Sequence, residues 1–170
     1  VLGCHIANLH GRLGDAAAAA AEFTAALSLA REQQQLHADA DSGRELASRL
    51  LEVAVFHSRR GEADAAAPLL TEARQLLSPL VADEPDDIAL RKLHCTIELM
   101  HGNLLLQSGR AEEALAVGQQ CLEVLLVLVA AQPDHAALRR DLVPCRHLVV
   151  RAAARLGQLD VAAAAASAAV

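Results

Sequence analysis

The chain is 170 residues long, 54% hydrophobic and only 1% aromatic, with neither Trp nor Tyr. Its formal charge of −6 comes from interspersed acids and bases, and the lack of a basic stripe and of stacking aromatics argues against a nucleic-acid partner. Ala, Leu and Val must fill the interior, and their helical preference, summed over long windows with few strand formers, predicts an all-α fold.

Four glycines, Gly14, Gly61, Gly109 and Gly157, recur at intervals of 47, 48 and 48, and each is followed five residues later by an alanine: Ala19, Ala66, Ala114 and Ala162. A fixed period of this size, with helical patterning on both sides of each glycine, marks stacked helical hairpins that bury a core only between neighbours. One continuous solenoid over residues 1–170 is expected, with units of about 1–40, 41–84, 85–132 and 133–170, the last cut short. In each unit a helix A precedes the glycine and a helix B follows it. The glycine ends helix A because it enters the left-handed backbone region without a Cβ penalty. Acids then occupy the first turn of helix B, at Asp15, Glu62 with Asp64, Glu112 with Glu113, and Asp160, where the helix dipole favours negative charge. The alanine column sits where helices A and B cross most closely.

Along the chain, the polar stretch from Gln33 to Asp41 is expected to fray into the link between the first two units. Ser42-Gly43-Arg44-Glu45 reads as a capping box opening the second helix A. Pro68 suggests a late start for the second helix B, and Pro79 and Pro144 predict a kink or break inside their helices. Pro85 and Pro133, each followed by Asp, are expected to open the third and fourth helices A. The third unit should hold a helix from about Asp86 to Ser108 and another from Ala111 to Ala131. The apolar run Val124 to Ala131 falls well short of the roughly 20 residues of a membrane span, so no membrane is expected. No signal peptide is indicated. Val1 in place of Met, and a C-terminus inside a predicted helix, suggest a fragment of a longer protein.

Cys4, Cys95, Cys121 and Cys145 are far apart and form no C-x-x-C pair, so they read as small buried apolar residues in a reducing, cytoplasmic setting. Cys4-His5, His94-Cys95 and Cys145-Arg146-His147 carry metal-ligand chemistry, but adjacent helical residues point about 100° apart and cannot share an ion. The same divergence separates Cys95 from His94 as nucleophile and base. No cofactor, metal or catalytic site is therefore expected. His10 and His57, four residues before their glycines, read as packing residues between units.

Aligned on the glycines, small residues recur seven places before (Ala7, Ala54, Gly102) and twelve after (Ala26, Ala73, Cys121, Ala169), aliphatics eight before (Ile6, Val53, Val149), and Phe23 lies in the first helix B. This pattern resembles the tetratricopeptide repeat, although the period exceeds the usual 34 residues and the family's Trp, Tyr and closing Pro are missing. The resemblance implies a right-handed α-solenoid of antiparallel hairpins. The motif Pro133-Asp134, Leu138-Arg139-Arg140-Asp141-Leu142 and Leu156-Gly157 also resembles repeat regions behind the catalytic domain of bacterial eukaryotic-like serine/threonine protein kinases. Pro85-Asp86 with Leu90-Arg91-Lys92-Leu93 follows it less closely, and no H-R-D or D-F-G sequence is present.

In the resembled family the inner face of helix A lines a groove that holds partner segments. The groove columns, six and two places before the glycine, hold Asn8, Val55, Asn103, Arg151 and Arg12, Arg59, Gln107, Arg155. Asn can hydrogen-bond an extended backbone and Arg can grip a carboxylate through two parallel bonds. The expected partner is thus a protein or peptide segment, acidic or C-terminal, held by Asn8, Arg12, Arg59, Asn103, Arg151 and Arg155. The competing reading of the arginines is dipole complementarity alone. A self-associating or spacing role is the alternative, because an unfinished last hairpin exposes an apolar face.

Overall fold

The computed structural model describes residues 16–167, and these form seven α-helices and no strand. The helices are α1 (Ala16–Leu36), α2 (Ala40–Arg59), α3 (Ala63–Asp83), α4 (Ile88–Gln107), α5 (Ala111–Ala131), α6 (Ala136–Arg155) and α7 (Leu159–Ser167). The chain divides into two compact units, 1–84 and 85–170. Within the first, α2 packs on both α1 and α3; within the second, α5 and α7 pack on α6, and α4 packs on α5 and α6. The helices A of the sequence reading are α2, α4 and α6, and the helices B are α1, α3, α5 and α7.

Three helices A end in the same way. Gly61, Gly109 and Gly157 have φ of 76°, 79° and 71°. At each, the glycine N–H bonds the carbonyl three residues back, and the next N–H bonds the carbonyl five back: Glu62 to His57 at 3.0 Å, Arg110 to Leu105 at 2.9 Å, Gln158 to Ala153 at 2.9 Å. This paired closure satisfies carbonyls that a helix end leaves without intrahelical partners, and it needs a residue that tolerates positive φ. Behind it Ala66 and Ala114 are fully buried and Ala162 is partly so; Ala19, of the same column, is also fully buried, and its Gly14 lies outside the described residues.

The links from helix B to the next helix A differ from the sequence expectation. Pro85 and Pro133 lie in turns, three residues ahead of the first helical residue. The caps are Asp87, whose carboxylate accepts the Leu90 N–H at 2.9 Å, and His135, whose Nδ1 faces the Leu138 N–H at 3.4 Å. Arg91 and Arg139, one repeat apart, each donate to the link proline's carbonyl, Arg91 to Pro85 at 3.4 Å and Arg139 to Pro133. Leu90 and Leu138 are fully buried beside them. The recurring Pro and Leu-Arg positions are thus one device: the leucine anchors the new helix while the arginine ties its first turn back to the link.

Other boundaries also move. Asp39, not Ser42, is the N-cap of α2; Ser42 occupies the third helical position and completes a reciprocal capping box with Asp39. Glu45, the residue expected to close the box, instead pairs with Arg49. Helix α1 runs unfrayed through Gln33-Gln34-Gln35 to Leu36, because Gln is a good helix former and Arg31 ties this turn to Glu72 of α3 at 3.0 Å. Helix α3 starts at Ala63, ahead of Pro68, and neither Pro79 nor Pro144 breaks its helix. All three prolines are exposed, and the carbonyls they orphan belong to Asp64, Gln75 and Arg140, also exposed, so water can satisfy them.

The first unit's core contains Leu46, Leu50, Leu70 and Leu77, together with Phe23, whose ring lies 5.1 Å from that of Phe56. The second unit's core joins α4 to α7 through Leu125, Leu138, Leu148 and all three of its cysteines. Two glycines permit this approach. A Cβ on Gly102 would fall 2.6 Å from Leu148 Cδ2, and one on Gly118 would fall 3.0 Å from Val149 Cγ2 and 3.4 Å from its backbone nitrogen.

Candidate functional site

The second unit carries a cavity of about 210 Å³ where α4 and α6 lie side by side over α5. Lys92, Cys95, Met100 and Asn103 of α4, Leu125 of α5 and Asp141 of α6 line it. Two polar ties connect α4 to α6. Lys92 Nζ lies 2.8 Å from Asp141 Oδ2, and Arg151 Nη1 donates to Asn103 Oδ1 at 3.0 Å. Asn103 and Arg151 occupy the same repeat position, 48 residues apart.

Of the six residues expected to hold a partner, the structure brings these two together. Asn103 also donates through Nδ2 to the Leu99 carbonyl at 2.9 Å. Both ends of its amide are thus used within the fold, which leaves one N–H and one oxygen lone pair for a ligand. Arg151 is exposed, and the bond to Asn103 orients its guanidinium while further donors remain. Arg155 lies one turn further along α6, exposed and in the last turn. Arg59 is exposed in the last turn of α2, within the other unit, and Asn8 and Arg12 lie outside the described residues.

Sequence reasoning missed Lys92 and Asp141 as a pair. Asp141 belongs to the Leu-Arg-Arg-Asp-Leu motif, and the opposite charge of Lys92, one place beyond a repeat upstream, was the available signal. It also missed Arg49, the one buried charged residue among the described residues, held between Glu45 and Glu52, the latter at 3.0 Å.

His57 is half-buried, edge-on to Phe56 with ring centroids 5.4 Å apart, and its Nδ1 lies 2.7 Å from Glu62 Oε2. His57 and Arg60 together hold the Glu62 carboxyl below its ordinary range. Arg60 also lies over the Phe56 ring, 5.5 Å from its centroid. The imidazole therefore closes the α2–α3 turn as well as packing in it. His10 lies outside the described residues.

Cys95, Cys121 and Cys145 are buried and form no disulfide with one another. Among the described residues no three His, Cys, Asp or Glu side chains converge to hold a metal ion, and the Cys4-His5 pair lies outside them. Helix α5 is long and apolar enough, by length and composition, to cross a membrane. Here one side of it, through Ala114, Gly118, Cys121, Leu125 and Leu128, is core, while Glu112, Glu113 and Glu123 are exposed.

Compared with protein-family models and with curated protein sequences, the chain matches none.

Proposed function

We propose that this chain is a non-catalytic scaffold, a right-handed tetratricopeptide-like solenoid in the cytoplasm whose helices A hold an acidic protein or peptide segment. The observation that carries the reading is the Asn103–Arg151 hydrogen bond between neighbouring helices A, at one repeat position, beside a cavity. An arginine already oriented by a neighbour loses less conformational entropy when it binds a carboxylate, so recognition draws on a framework set during folding. Asn8, Arg12, Arg59 and Arg155 extend the same chemistry along the repeat columns. The kinase-associated motif supports a further part of the reading, that the scaffold is the accessory region of a bacterial serine/threonine protein kinase.

The test is titration of a labelled acidic peptide against wild type and against Arg151→Ala with Arg155→Ala. Loss of about tenfold or more in affinity, with helical content unchanged, supports the reading. Equal affinity of the two proteins, or equal binding of a peptide with every acid replaced by its amide, defeats it. The kinase context is tested separately by whether the parent reading frame carries H-R-D and D-F-G sequences upstream.

A second reading, self-association, is favoured by one feature: Leu126 and Val127 on α5 are 44% and 59% exposed, and Val143 on α6 is 64% exposed. Sedimentation that reports a monomer at high concentration removes it.

A further inference from the structure

The cysteines of the second unit do more than fill space. Each comes from a different helix, Cys95 from α4, Cys121 from α5 and Cys145 from α6, and all three share one core. Their surroundings differ. Cys95 lines the cavity of about 210 Å³, whereas Cys121 and Cys145 do not. A site for one water occupies about 30 Å³, so a hydroperoxide little larger than water fits against the Cys95 sulfur without disturbing the helices. Cys121 lies directly behind it, its thiol donating to the Cys95 carbonyl at 3.8 Å.

We propose that Cys95 and Cys121 form a peroxide-responsive thiol pair, in which a hydroperoxide entering the α4–α6 cavity oxidises Cys95 and Cys121 resolves the product into a disulfide joining α4 to α5. In the first step the Cys95 thiolate attacks one oxygen of the hydroperoxide, an S–O bond forms, the O–O bond breaks, and the alkoxide leaves as the alcohol after taking the proton that Cys95 gave up. In the second, the Cys121 sulfur attacks the Cys95 sulfenic sulfur, the S–S bond forms, the S–O bond breaks, and hydroxide leaves as water with the Cys121 proton. Two thiols thus supply the two electrons that reduce one hydroperoxide. A small dithiol reverses the change by exchange.

The electrostatics assign the same roles. The adjoining Cys121 thiol holds the Cys95 thiol below its ordinary range; Arg91 adds to this, while burial, Glu98 and Asp141 oppose it. Cys121 is pushed up by the neighbouring Cys95 and by burial, so it keeps the proton and donates. Cys145 is an internal control: burial pushes it up to about 12, and its thiol donates to the Asp141 carbonyl at 3.5 Å. Thiolate character and access decide which cysteine oxidises, and only Cys95 has both.

The experiment uses the full chain, reduced, exposed to dilute hydrogen peroxide, quenched with a maleimide, digested with trypsin and read by mass spectrometry. Cleavage after Lys and Arg places Cys95 in 93–110, Cys121 in 111–139, Cys145 in 141–146 and Cys4 in 1–12. The expected product is a reducible link between 93–110 and 111–139 within one molecule, with Cys145 unoxidised. In Cys121→Ser, checked for wild-type helical content, the link should be replaced by a Cys95 sulfenic acid trapped by dimedone. A link through Cys145 or Cys4, a link between molecules, or an unoxidised Cys95 in the folded protein overturns the proposal, and the wild-type digest alone decides this if the variant does not fold.

Discussion

Replacing Gly109 by alanine isolates one term of the repeat's energetics. A Cβ built on Gly109 meets nothing within 4 Å, so the substitution creates no clash with the rest of the fold. The folded-state effect then comes from forcing an L residue to hold φ near the observed 79°. That conformation costs an L residue about 1–2 kcal/mol. The lower entropy of an unfolded chain carrying Ala in place of Gly offsets about 0.4–1 kcal/mol. The net expectation is a loss of about 1 kcal/mol, or about 2–4 °C in Tm for a domain of this size. Gly61 shares both the open surroundings and the positive φ of 76°, so its alanine variant should lose the same amount. Denaturant unfolding followed by helical circular dichroism measures both. If either variant is as stable as wild type, or more stable, the left-handed closure is not what the glycines are there for.

Two further perturbations follow from the same hairpins. Ala114 is fully buried where α5 begins, so Ala114→Leu should lose about 1–3 kcal/mol by overpacking, and a neutral result in the same unfolding assay would mean the alanine column does not set helix spacing. The Asp39 carboxylate is held below its ordinary range by its bonds to Ser42, so the cap it provides is present above the unfolded-state pKa, near 4, and is lost as pH falls through the lower folded value. Asp39→Asn keeps an acceptor at this cap but cannot titrate; acid unfolding curves of variant and wild type should diverge below about pH 4, and parallel curves would contradict the linkage.

Much of this architecture could be read from residues. The glycine column with its following acids dictated where helices A end, because few residues other than glycine accept that backbone conformation, and the start of the helix Ala111–Ala131 was legible for the same reason. The openings of helices A were less legible. Proline suits both the first turn of a helix and the turn before it, and at Pro85 and Pro133 the second use prevails because Asp87 and His135 cap two residues later. Likewise Ser42 fits an N-cap by type, but Asp39 competes for the same N–H groups, and Arg49 draws Glu45 away. Gly118 gave no sign of its role: a glycine inside a helical pattern reads as a weak point, and only the packed structure shows Val149 occupying the space a Cβ would need. At the candidate site, repeat spacing alone aligned Asn103 with Arg151, whereas Lys92 and Asp141 sit one place out of register and become partners only once α4 and α6 are packed.

Hydrogen exchange read by mass spectrometry, with and without a saturating acidic peptide, tests the recognition surface most directly. The peptide should slow exchange in α4 and α6, around Asn103 and Arg151, and leave the exposed side of α5 at Leu126 and Val127 unchanged. Protection confined to α5, or no protection in any helix A, would contradict it.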